Sequence, residues 1–195
     1  MLKFSQTEIQ HLIKAWLAIS IAFGILLTKG AGFNVFSNSF TYYFLISAFS
    51  VGIGFLVHEL SHKYVAQKYN YFAEFRANNF MLGIAVLMSF LGFIIAAPGA
   101  VMIKAYYMTK ERNGKISLAG PTASLGIAII FFILLYLFPG NLLFYYGSWI
   151  NIILAAFNLI PFPGFDGSKI FSWSKPVYIT TAAITVLMLI LINIL

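Results

Sequence analysis

The sequence predicts an all-α polytopic membrane protein with about five transmembrane helices. The first observation behind this is composition. Of 195 residues, 61% are hydrophobic and 9% are charged, against about 25% charged in an ordinary soluble domain. A soluble domain of this size would leave about a third of its surface in water, and this chain is too apolar for that. A bilayer solves the problem by acting as an apolar solvent. The second observation is spacing, because the apolar residues fall in runs near the roughly 20 residues that a helical span requires. A single membrane domain over residues 1–195 is expected, with no separate soluble domain.

Five windows are long enough to cross: 11–28, 42–62, 116–138, 142–160 and 176–195. The first begins with His11 and Lys14 and lacks a convincing small-residue cleavage site, so it reads as a retained span. A sixth apolar stretch, 79–97, is ambiguous. Basic residues decide between its readings. With the N-terminus on the cytoplasmic side and five crossings, eleven of the twelve Lys and Arg residues fall on or near the inner face, leaving only Lys29 outside. If 79–97 also crossed, the split would become five inside and seven outside. A re-entrant or interfacial hairpin, with Gly83 and Gly92 allowing the bend, preserves the bias; a sixth ordinary span is the alternative. Tyr71–Arg76 and Ala100–Ile103 are the best candidates for short β-strands, the alternative being amphipathic interfacial segments.

The net charge of +7 fits a membrane surface in this apolar context, and no nucleic-acid partner is expected. The absence of cysteine excludes disulfides and thiolate chemistry. Near the inner end of the second window stand His58, Glu59 and His62, three ionisable groups within five residues. Such groups inside a span are expensive and usually functional. On a helix His58 and His62 share one face, a spacing that suits two imidazole nitrogens on one zinc ion. Glu59 lies beside the first of them, within reach of a water at the metal. The plain alternative is a buried polar network, although helix-joining networks more often use Ser, Thr or Asn.

A catalytic zinc needs a third protein ligand and an open position. Besides Glu59, the acids are Glu8, Glu74, Glu111 and Asp166, and the remaining histidine is His11. Asp166 is the sole aspartate. It follows the fourth window in a segment whose Pro161, Pro163, Gly164 and Gly167 end the helix, and the five-crossing topology puts it on the side of His58 and His62. A helix-end cap is its bland reading.

His58-Glu59-x-x-His62, followed by Asn158-x-x-Pro161 and Asp166-Gly167, resembles the site-2 protease family of intramembrane metalloproteases. Pro98-Gly99-Ala100-Val101 and Ala119-Gly120-Pro121-Thr122-Ala123-Ser124 fit the same likeness, which covers about 42–170. The resemblance implies a three-helix catalytic core that hydrolyses peptide bonds of transmembrane protein substrates near the inner face. Carried over by motif, His58, His62 and Asp166 would hold one zinc ion per chain. Glu59 would move the proton of water to the leaving amine, and Asn158 would contact the substrate or the developing oxyanion. An interhelical hydrogen bond is the alternative for Asn158. Two departures stand out: Ser124 occupies a position where the family usually has Asn, and the insert 71–110 exceeds the minimal pattern. Ala119, Gly120, Ala123, Ser124 and Gly126 suit tight helix packing more than chemistry. The rival function is a non-catalytic membrane binding or scaffold protein that retains a structural metal site.

Overall fold

The computed structural model describes residues 2–94 and 98–194. Helix α1 (Gln6–Gly30) opens with Ser5, whose hydroxyl caps the amide of Glu8. A continuous helical rod follows: α2 (Ser39–Ser47), a π-helical turn at Ala48–Gly52, and α3 (Ile53–Lys68). The chain then forms β1 (Phe72–Ala77), α4 (Asn79–Ser89) and β2 (Gly99–Lys104). Helices α5 (Lys110–Leu137), α6 (Leu142–Asn158), α7 (Asp166–Trp173) and α8 (Lys175–Ile192) complete it.

Among the described residues, four helices are long and apolar enough to cross a membrane: α1, the 39–68 rod, α5 and α8. The remaining expected span, 142–160, corresponds to α6 with 17 residues. At 1.5 Å per residue it is about 25 Å long, a little under the roughly 30 Å hydrocarbon core. Pro161 and Pro163 stop it there, because proline has no amide to continue the ladder.

The extra residue of the π turn leaves carbonyls without their usual helical donors, and neighbouring side chains supply them. Trp16 Nε1 of α1 donates to the Ala48 carbonyl at 3.1 Å, and Asn151 Nδ2 of α6 donates to the Ser50 carbonyl at 3.3 Å. Gly52 and Gly54 permit this closeness. A Cβ at Gly52 would strike the Trp16 indole, and one at Gly54 the Asn151 carboxamide.

The two expected strands exist and pair antiparallel, with Phe75 opposite Val101. Between them, α4 has 11 residues, about 16 Å of rise, too short to cross. The chain leaves the sheet at Asn78 and is back beside it at Pro98, whose carbonyl accepts the Asn78 amide at 3.0 Å. The stretch therefore enters and leaves at one end, as the re-entrant reading expects; its residues 95–97 lie outside the described part. Gly83 plays no part in the bend, because it lies inside α4. The turn comes at Gly92, whose φ of +92° is a conformation that glycine adopts without steric cost.

Lys63, counted among the charges on or near the inner face, is fully buried and ion-paired with Glu8 of α1. Among the described residues, one apolar core joins Ile19, Val51, Phe55, Phe75, Leu82 and Ile150, a second joins Ala128, Leu135, Ile152, Met188 and Ile192, and a small third joins Ala66, Ala73 and Ile116. Many large apolar side chains on the long helices, such as Ile130, Ile133 and Leu187, face outward, where lipid is the compatible solvent.

Candidate metal centre

Helix α3 sets His58 and His62 one turn apart, with ring centroids separated by 4.8 Å. Each imidazole is steered through Nδ1 by α5. His62 Nδ1 lies 2.8 Å from the Ile116 carbonyl, and His58 Nδ1 lies 2.9 Å from Ser124 Oγ. A carbonyl only accepts, so Nδ1 of His62 carries a proton, and Nε2 is the ring atom turned toward Asp166. Ser124 thus has a role as the partner of His58, whatever residue stands there in relatives. Orienting bonds of this kind fix ring direction and raise ligand basicity.

Asp166 reaches this pair because the chain after α6 folds back sharply. Gly164 adopts a φ of +102°, and Gly167 packs directly on the Leu159 carbonyl, where a Cβ would collide. Helix α7 is held against α5, where Gly114 leaves room for the Trp173 ring. Asp166 Oδ2 then lies 3.1 Å from His62 Nε2 and 3.6 Å from His58 Nε2. Its Oδ1 lies 3.7 Å from Lys169 Nζ. Burial pushes the Asp166 carboxyl up, but hydrogen bonds and charge from the two imidazoles outweigh it and hold the group below the usual carboxylate range. The carboxylate is therefore charged at neutral pH.

His58, His62 and Asp166 each offer one ligand atom, all within 4.8 Å of one another. Two nitrogens and one oxygen are the donor set of a catalytic zinc, with a further position left for water or substrate. The space in front of them is kept open by Gly120 of α5: a Cβ there would strike Nε2 of both histidines. The residues present fit zinc. Gly120 and Ser124 were expected to serve packing; both instead face the histidines.

Glu59 borders the same cavity of about 400 Å³, together with His58, His62, Asp166, Asn158 and Lys169. Its Oε2 accepts the amide of Val101 in β2 at 3.2 Å. Because antiparallel strands direct their backbone groups alternately to either side, Gly99, Val101 and Ile103 present theirs away from β1, and all three line the cavity. Asn158 is half-buried. Its Nδ2 donates to the Leu154 carbonyl of its own helix at 2.9 Å rather than across to another. Lys169, Asn113 and Ser117 also line the cavity and were missed from sequence. A usable signal existed on α5, where Asn113, Ser117, Gly120 and Ser124 recur at intervals of four, three and four, one face of a helix.

Fold and site together define a polytopic helical protein with a metal centre of the zinc-hydrolase kind. A protein of Methanocaldococcus jannaschii provisionally named a zinc metalloprotease is 42% identical over 178 residues, covering 88% of this chain and 87% of that protein. Another from the same organism, named a zinc metalloprotease, is 31% identical over 156 residues, covering 78% of this chain and 40% of the other. A Bacillus subtilis protein provisionally named in the same way is 30% identical over 139 residues, or 60% and 64% of the two chains. No family model matches the chain, and no solved structure matches it. On the extent of the first similarity, the chain belongs to the site-2 protease family of zinc metalloproteases, and zinc is its metal.

Proposed function

We propose that this chain is an intramembrane protease that hydrolyses peptide bonds of transmembrane substrates near the inner face, with its N-terminus on the cytoplasmic side. The single observation that carries the reading is the meeting of Glu59, the His58–His62–Asp166 cluster and the outward edge of β2 in one cavity. Zinc, when bound, supplies a Lewis acid that makes water more acidic and polarises the scissile carbonyl.

The protein's own residues do the rest. His58, His62 and Asp166 hold the metal. Glu59 Oε accepts the proton of the attacking water and returns it to the leaving amine. A helical substrate hides its carbonyls in internal hydrogen bonds and must be unwound before attack. The outward amides and carbonyls of Gly99, Val101 and Ile103 can take it up as an added strand, beside Glu59. Asn158 stands at the cavity wall, from which its carboxamide can turn to donate to the developing oxyanion.

The test is Glu59→Gln, which keeps the size of the side chain and removes its basic carboxylate. The variant should bind zinc and a substrate segment nearly as the wild type does. Cleavage of single-span substrates should fall at least about 100-fold, the lower end of what general acid–base catalysis contributes. Wild-type cleavage by the variant would remove Glu59 as the base. A zinc-loaded wild type that cuts none of several such substrates would favour the metal-holding scaffold.

A further inference from the structure

Glu8 and Lys63 are both fully buried and paired with each other, and neither lines the cavity that holds His58, Glu59 and Asp166. The pair joins α1 to α3. Its reach is wider, because the other Glu8 oxygen, Oε1, accepts the Phe75 amide of β1 at 2.8 Å. Three residues further along α1, His11 Nδ1 accepts the Ala77 amide at 3.2 Å. Helix α1 thus offers acceptors at i and i+3 to alternate amides of the outer β1 edge, in the place a third strand would take. The Phe4 ring covers the Lys63 ammonium at 4.0 Å.

Stability alone does not account for this pair. Taking two charges out of water costs about as much as their attraction returns, and an apolar pair of similar size often serves as well or better. An apolar pair could not accept the Phe75 amide. Phe75 stands opposite Val101 in the sheet, and the Val101 amide is the one that donates to Glu59. Lys63 lies one turn beyond Glu59 on the same helix. A single buried contact therefore ties the helix carrying Glu59 to the sheet whose free edge faces it.

We propose that Glu8, held by Lys63, is a positioning residue. It clamps the sheet against α1 and α3 so that the free edge of β2 stands at one fixed distance from Glu59. It also occupies the β1 edge, so an incoming extended backbone finds only the β2 edge beside the metal. The consequence for cleavage rests on the protease reading; the effect on the sheet does not.

Amide hydrogen exchange on the full-length protein in detergent tests the clamp without a mutation. The Phe75 amide should exchange as slowly as those of Ala100 and Met102, which point toward β1 inside the ladder. Fast exchange at Phe75 would overturn the proposal. Two double variants then separate positioning from bulk stability. Glu8→Leu with Lys63→Met removes the charges and the acceptor, whereas Glu8→Gln with Lys63→Met removes the charges and keeps the acceptor. In the first, protection across 99–104 should fall about tenfold, the size of effect expected from one buried hydrogen bond. The substrate KM should rise by a similar factor, with zinc content and kcat little changed. In the second, protection and KM should stay near wild type. Identical exchange in the two variants would refute the clamp. Should the Leu/Met protein fail to insert, the wild-type measurement still decides. Should the wild type cut nothing, the protease reading fails while the exchange comparison still judges the clamp.

Discussion

At the residue scale, the metal centre depends on one missing side chain as much as on the three present. A methyl group at Gly120 would occupy the space before both histidine Nε2 atoms. Gly120→Ala should therefore lose zinc and activity while leaving the helix intact, read by elemental analysis and circular dichroism. Gly126→Ala on the same helix meets nothing within 4 Å. It should keep zinc and gain up to about 1 kcal/mol from helix propensity; equal zinc loss in both variants would dissociate Gly120 from the site. Ser124→Ala frees His58 Nδ1 from its partner and should weaken zinc binding by about 10–100-fold, as orienting contacts to metal ligands do. Joint replacement of His58 and His62 by Ala should abolish stoichiometric zinc. Asp166→Ala should weaken binding less, because two imidazoles remain, and an unchanged affinity would remove Asp166 from the ligand set.

At the element scale, the 39–68 rod is phased by its π turn, and the turn is held from both sides by Trp16 and Asn151. Gly54→Ala would push the Asn151 carboxamide away and break its bond to the Ser50 carbonyl. The expected cost is about 1–3 kcal/mol, typical of overpacking, seen as a lower thermal midpoint in detergent. The re-entrant hairpin gives a paired comparison. Gly83→Ala fills open space inside a helix and should stabilise α4, whereas Gly92→Ala forces an L side chain to φ +92° and should destabilise the turn. Were Gly83 the bend, the order would reverse.

At the scale of the whole molecule, the arrangement fixes which loops share a face. The native chain has no cysteine, so single cysteines can be introduced without background. Cysteines at positions 70 and 110 should be labelled from the same side as each other, the cytoplasmic one, and a cysteine at 140 from the opposite side. Labelling of 110 from the side of 140 would contradict a re-entrant 79–97.

Much of this was legible because it is local or compositional. The spans follow from apolar runs of bilayer length, and the His58–Glu59–His62 face follows from helical period. The strands at 72–77 and 99–104 lie within a residue or so of the stretches that the sequence marks, while for Asp166 the five-crossing topology gives the side of the membrane and only the family resemblance gives the role of ligand. What the sequence did not disclose lies between elements far apart in the chain. Ser124 is 66 residues from His58, and Glu8 is 55 from Lys63. Whether a small residue serves packing or guards a metal, and whether a lysine reaches water or a buried carboxylate, depends on which faces of two helices meet. Periodicity names the face of each helix, and only the packed tertiary structure decides its partner, because the deciding contacts are made between helices rather than within one.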